Sequence, residues 1–266
     1  MTNPWAAALV TLFLWWFSTG AILWRVRHAD RLGGAAHANS VFIALPLLLA
    51  GIWGLGVSLD ETDATGTYIA FLSALAVWGW IELAFLSGVI TGPNTAPCPP
   101  FARGWDRFWR ATLTLIWHEA LLIAALLLLT YAAWNAPNPF GLYTFALLFF
   151  ARASAKLNLF LGVPRINVEF LPRPLSHLAS HFAHARMNWL FPVSVTALTF
   201  ASGCWLERAI SAPTEAALIG HILLAVLTAL ALLEHWFMVL PLPDQKLWRW
   251  MLPDSPAADT SIPARK

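Results

Sequence analysis

The sequence predicts an all-α, polytopic integral membrane bundle of about seven transmembrane helices, and three observations predict it. Hydrophobic residues make up 59% of the 266 residues and charged residues only 11%, against about 45–50% and about 25% in soluble domains, and mean hydropathy is +0.64. Apolar runs of about 20 residues, the length that crosses a hydrocarbon core of about 30 Å, recur between Pro, Gly and charged breakers. Basic residues outside those runs collect on one side of the topology that the runs define.

Taken in order, the first run spans 5–24 and is followed by Arg25, Arg27 and Arg31. Because this positive cluster follows the apolar stretch and does not precede it, the segment reads as a retained helix and not as a cleaved signal peptide. The second run, 40–59, leads into Asp60, Glu61 and Asp63, and the third, 67–90, carries Glu82. The Pro-rich stretch 91–100 then gives way to an amphipathic segment in which Trp105, Phe108 and Trp109 oppose Arg103, Arg107 and Arg110, a pattern suited to lying on an anionic membrane surface. The fourth run, 111–133, contains Trp117-His118-Glu119; the short link 135–139 ends it, and the fifth run, 140–161, carries Arg152 and Lys156.

A longer connection, 162–187, holds Arg165, Arg173, Arg186, His177, His181 and His184. The histidines are spaced i, i+4 and i+7, so they share one face if this loop is α-helical, either covering a site or forming an interfacial stripe. His221, near the outer end of the seventh run, reads as unrelated to any site, and His28 and His37 read as surface residues. The sixth run, 188–206, is diluted by Pro192, and the seventh, 217–240, ends with Glu234-His235-Trp236. Lys246, Arg249, Arg265 and Lys266 follow, and 253–266, rich in Pro, Ala and Ser, reads as a disordered tail behind one membrane domain of 1–252. Only Arg208 joins the acidic side, so the positive-inside rule predicts an N-terminus outside and a C-terminus in the cytoplasm. Cys98 and Cys204 fall near opposite faces, which leaves no disulfide to expect. No phosphate loop, nucleophile elbow or nucleic-acid motif is present, so nucleotide-driven chemistry and nucleic-acid partners are not expected. The 16 Trp and 17 Phe suit membrane interfaces and the faces of flat ligands.

The ionisable residues inside the runs carry the functional reading. Counted inward from the cytoplasmic ends, Glu82, His118, Glu119, Arg152, Lys156, Glu234 and His235 lie about 8 to 14 Å deep at about 1.5 Å per residue. Charge in hydrocarbon costs about 2.5 to 3.5 kcal/mol per group on insertion scales, so placements at one depth point to one buried polar layer. Travelling outward, the fourth and seventh runs each present Trp, then His, then Glu. Three carboxylates against two cations leave three readings open. One is an ion-pair network joining helices. A second is a divalent metal held by Glu82, His118, Glu119, Glu234 and His235. The third is capture of a pigment-precursor or quinone-like ligand by Arg152 and Lys156. Di-iron bundles space their ligands Glu-x-x-His, whereas here Glu and His are adjacent and point about 100° apart, which weakens the metal reading.

The string FFARASAKLNLFLGVP from Phe149 to Pro164, with NVEFLP from Asn167 and MNWLFPVSV from Met187, resembles the PuhE family of photosynthetic complex assembly proteins of anoxygenic phototrophic bacteria. The resemblance extends in hydropathy over essentially the whole chain, and the string SAKLNLFLGVP is its specific part. It implies association with reaction-centre and light-harvesting subunits and with bacteriochlorophyll supply, in the cytoplasmic or intracytoplasmic membrane. It supplies no catalytic residues, but it adds Asn158, Asn167 and Glu169 to Arg152 and Lys156 as candidates.

The combined expectation is an assembly factor that binds or hands over bacteriochlorophyll or a precursor through a polar pocket. That pocket is built from Glu82, His118, Glu119, Arg152, Lys156, Asn158, Glu234 and His235, with His118 or His235 as a ligand to pigment Mg. The alternative is a metal-dependent oxidoreductase, di-iron in one form, acting on a tetrapyrrole or another lipophilic substrate. A scaffold that docks subunits only through its lipid-facing surface is the third expectation.

Overall fold

A computed structural model of the protein describes residues 3–242 and Leu247. The tail expected at 253–266, and Lys246, Arg249, Arg265 and Lys266, lie outside the described residues. The described chain is helical, in the order α1 (Pro4–Leu32), α2 (Ala36–Ile43), α3 (Leu45–Ser58), α4 (Ala64–Leu86), α5 (Gly104–Thr112), α6 (Ile116–Ala132), α7 (Phe140–Leu161), α8 (Leu190–Ile210) and α9 (Glu215–Phe237). Two 3-10 segments, Val168–Phe170 and Arg173–His181, lie between α7 and α8. Six helices are long and apolar enough to cross a membrane, counting Ala36–Ser58 as one, and α5 with α6 brings the number to seven if that bent pair is one span. The chain is a multi-pass membrane protein.

Helix starts follow local chemistry. Asn3 Oδ1 accepts from Trp5 N at 2.9 Å, Asp63 Oδ1 from Gly66 N at 2.7 Å, and Thr214 Oγ1 from Ala217 N at 3.2 Å, each satisfying a donor that the first turn leaves open. Before α8, Asn188 Oδ1 takes both Leu190 N and Phe191 N, at 2.9 and 3.0 Å. Gly33 (φ 67) and Gly162 (φ 122) stop α1 and α7 in a conformation that a side chain would oppose.

Two expected runs are broken. Pro46 has no N–H to give and crowds the preceding turn, so the second run divides into α2 and α3 at Ala44. The fourth run begins at Ile116 and not at 111, because Ala111 and Thr112 belong to the surface-type helix α5, and the chain turns by 68° at 113–115. Thr91 O accepts from Trp117 N (2.9 Å) and His118 N (3.3 Å), which satisfies open donors of the α6 first turn.

The tertiary bonds sort the helix ends into two groups. At one end, Arg173 N meets Asp30 (3.1 Å), Arg107 meets the carbonyls of Phe160 and His181 (both 2.8 Å), and Arg165 meets the carbonyl of Leu240 (3.1 Å). At the other, Asn138 Nδ2 donates to Glu61 O (3.0 Å) and Thr67 Oγ1 lies 3.5 Å from Ala216 O. The first end is the basic one of the sequence and the second the acidic one. Helix α4 sits in the middle, more than half of its apolar window buried (56%), and packs on α3, α7 and α9. Close approach depends on small residues: a Cβ on Gly54 would meet Ser73 Oγ at 2.1 Å, and one on Gly220 would meet the Phe140 ring at 2.2 Å.

Candidate functional site

Near the basic end, α4, α6 and α7 bring five of the expected residues into one network. Arg152 on α7 donates through Nε and Nη2 to the two carboxylate oxygens of Glu82 on α4, each at 3.2 Å, a two-pronged geometry that a guanidinium matches and an ammonium does not. One turn further along α7, Lys156 Nζ donates to Glu119 Oε1 at 2.5 Å and reaches His118 Nδ1 at 3.2 Å. The same Nδ1 lies 3.2 Å from Glu119 Oε1, and His118 Nε2 faces Glu82 Oε1 at 3.7 Å. The His118 ring is fully buried and lies against Phe85, centroids 4.3 Å apart, and Lys156 also stands over Phe85 at 5.5 Å. Two acids therefore face two bases, and the network balances its own charge.

The remaining expected residues go elsewhere. Glu234 is held by Trp15 Nε1 of α1 at 2.6 Å and lies close enough to Arg152 to interact with it electrostatically. His235, its neighbour in sequence, turns away into a second cluster. Its Nδ1 donates to Ala231 O at 2.8 Å, which leaves Nε2 to accept from Ser154 Oγ at 2.9 Å. Asn158 joins that cluster through Ser154 O and Ser194 Oγ, both at 3.0 Å. Adjacent helical residues point about 100° apart, so the Glu-His pair of α9 serves two sites. Glu169 is exposed, and Asn167 lines a cavity.

That cavity has two lobes, each about 370 Å³, with Arg152 and Glu234 in the wall of both. Trp15, Phe71, Trp78 and Leu227 give the first lobe its apolar surface, between α1, α4, α7 and α9. Lys156, Phe160, His181 and Phe182 line the second, which reaches the α7–α8 connection. The Arg152 side chain is 37% accessible and lines both lobes, so its accessible part faces this space while the rest clasps Glu82. Neither His118 nor His235 is part of either wall. Both nitrogens of His235 are engaged, and the buried His118 turns Nδ1 to Lys156 and Nε2 toward Glu82, so the cavity wall itself presents Arg152 and Glu234 and neither imidazole.

No group of three His, Cys, Asp or Glu side chains among the described residues is arranged to hold a metal ion. The physical reason is that Arg152 and Lys156 occupy the carboxylates of Glu82 and Glu119, and His235 is turned out of the layer.

The histidines of the α7–α8 connection do not form one face, because the segment winds as a 3-10 helix and ends at His181. His181 is buried beside Ala96 O (3.3 Å), and burial lowers its pKa, as it lowers that of His177. His184 is exposed. His37 is not a free surface residue, since its Nε2 lies 3.1 Å from buried Asp30, which Arg27 also approaches at 3.6 Å. Cys98 and Cys204 are both free thiols.

The sequence profile of the family described as "Protein of unknown function (DUF3623)" matches residues 1–259. The chain belongs to this family. It is also 64% identical over 265 residues to a Rhodobacter capsulatus protein named "Uncharacterized 30.4 kDa protein in puhA 5'region", covering 99% of this chain and 97% of that relative. No solved structure matches.

In this DUF3623 member, sequence reading missed Trp15, Ser154 and Ser194. Serines inside apolar runs and a Trp near a span's midpoint do not stand out by composition. A usable signal exists for Ser154 and Asn158, which are spaced i, i+4 on the α7 face opposite Arg152.

Proposed function

We propose that this protein is an assembly factor for the bacterial photosynthetic apparatus, acting on reaction-centre or light-harvesting complexes by binding or handing over bacteriochlorophyll or a precursor. It sits in the inner membrane with its N-terminus periplasmic and its basic end cytoplasmic. The observation that carries the reading is the two-lobed cavity: aromatic and aliphatic walls inside the membrane span, with Arg152 and Glu234 as the charged groups common to both lobes. Ligand sites take this form, with large apolar walls for affinity and a few fixed polar groups for orientation. Indole and phenyl faces of Trp15, Trp78 and Phe71 suit a flat macrocycle. The similarity to a protein named for the puhA 5' region and the PuhE-like strings from Phe149 to Pro164, from Asn167 and from Met187 support the photosynthetic setting.

The test is purification in mild detergent from a phototrophic host. The expected result is chlorin absorbance near one equivalent per chain, lost in the charge-neutral double variant Glu82→Gln/Arg152→Gln. Protein that comes out colourless from a pigment-producing host, with stoichiometric Fe, Mn or Zn by elemental analysis, would replace this reading with the oxidoreductase.

A further inference from the structure

The charges at the meeting point of the two lobes define what kind of ligand fits there. Glu82 spends Nε and one Nη2 position of Arg152, and Glu119 spends Lys156 at 2.5 Å. Arg152 and Lys156 are each matched by an acid in direct contact, and Glu234 stands by as a third carboxylate whose Oε1 accepts from the Trp15 indole N–H. An anionic ligand seated on Arg152 would find the charges of Arg152 and Lys156 already matched by Glu82 and Glu119, and would face Glu234, the carboxylate that lines both lobes, where like charges repel. Arg165, in the wall of the second lobe, donates to the carbonyl of Leu240. The guanidinium still has N–H groups beyond those that Glu82 takes, on an accessible side chain, and the second oxygen of Glu234 remains an acceptor. The centre therefore offers hydrogen bonds without surplus positive charge.

Resting on the proposed function, we infer that the cavity takes an uncharged, carbonyl-bearing amphiphile, a chlorin whose acid is esterified, and discriminates against the free acid. A ketone or ester oxygen accepts from Arg152 without needing a countercharge, Glu234 accepts from any donor on the same edge of the ligand, and the apolar body fills the lobe walled by Trp15 and Trp78. This reverses the sequence-level role of Arg152 and Lys156 as seats for carboxylates: their charge is already committed to Glu82 and Glu119.

The experiment uses the full chain in phosphatidylcholine nanodiscs and follows quenching of tryptophan fluorescence at pH 7.5. The probes are a chlorin carrying one propionic acid and the methyl ester of the same chlorin, each corrected for partitioning into empty discs. The ester is expected to bind at least about tenfold more tightly than the acid. Glu234→Gln, which keeps the shape of the side chain and the acceptor for Trp15, is expected to raise acid affinity severalfold and leave the ester within about twofold. Equal or tighter binding of the acid by the unaltered protein overturns the inference while pigment binding stands. Absence of specific quenching by either chlorin overturns the pigment reading itself, and this inference with it.

Discussion

Helix α7 separates two polar regions that differ in nearly every respect except their depth. On one side, Arg152 and Lys156 reach Glu82, His118 and Glu119 on α4 and α6, with Arg152 open to a cavity. About 200° away around the helix, Ser154 and, one turn on, Asn158 reach Ser194 and His235 on α8 and α9. The second cluster is neutral and buried, and its donors run largely into backbone carbonyls: Ser194 Oγ to Leu190 O at 3.0 Å, His235 Nδ1 to Ala231 O at 2.8 Å. It is glue between helices. The first region keeps charged groups at a ligand-sized space, which helix association alone does not require.

The comparison predicts unequal costs of substitution. The largest effect is expected for Arg152→Ala, which leaves Glu82, a side chain only 10% accessible, without its countercharge; removing one partner of a buried pair costs about 3 to 5 kcal/mol. Thermal unfolding in detergent should show a large drop in Tm, and the double variant Glu82→Gln/Arg152→Gln should recover most of it. If the double variant is as unstable as Arg152→Ala, packing and not charge pairing holds this region together.

Lys156→Met comes next. It removes the donor to Glu119 and His118, but Glu119 keeps 23% of its side chain accessible and can rehydrate in part, so about 1 to 3 kcal/mol is expected, read from the same unfolding curves. Ser194→Ala, in the neutral cluster, should cost only about 0.6 kcal/mol, typical of polar contacts between membrane helices, and should leave chlorin absorbance unchanged. A loss of pigment in Ser194→Ala with normal Tm would move the functional side of α7 to the other face.

The smallest expected effect is a pH dependence of the basic end. Burial depresses the pKa of His181, and Arg107, Arg110 and His177 around it act against its protonation. The unfolded chain therefore binds a proton that the folded one resists. The bond to Ala96 O opposes this shift without cancelling it, so stability from burying His181 as a neutral ring is complete above the unfolded value of about 6.5 and is lost as pH falls below it toward the depressed folded value. Protease resistance of the 91–101 loop, whose Ala96 O meets His181 at 3.3 Å, should fall from pH 7.5 to 5.5. A His181→Gln variant should flatten that profile.

Much of this architecture was legible along the chain. The run at 140–161 coincides with α7, Phe140–Leu161, and Glu82, His118, Glu119, Arg152 and Lys156 do meet in one layer. The runs at 67–90 and 217–240 were placed too far along the chain, because polar caps start the helices earlier, at Ala64 and Glu215, and apolar residues continue past their ends: α4 stops before Ser87 and Gly88 (φ 73), and α9 stops at Phe237. Hydropathy cannot distinguish an apolar residue inside a helix from one just beyond its cap. The Trp-His-Glu order repeated in α6 and α9 suggested matching roles, yet His118 and Glu119 share one network while Glu234 and His235 part.

By itself, the sequence determined that six or seven segments can span a membrane, which loops are basic and how far along its run each ionisable residue lies, because all of these follow from position along the chain and from transfer energies that act residue by residue. Azimuth was decided by tertiary structure alone. Whether Glu234 faces Arg152 or His235 does depends on rotation about the α9 axis. That rotation is set by close contacts such as Gly220 against the Phe140 ring and by the bond from Trp15, which one-dimensional hydropathy does not encode. Rotation also turned the cations of α7 from free carboxylate binders into groups already engaged with acids, since Glu82 and Glu119 reach them only when three helices pack together.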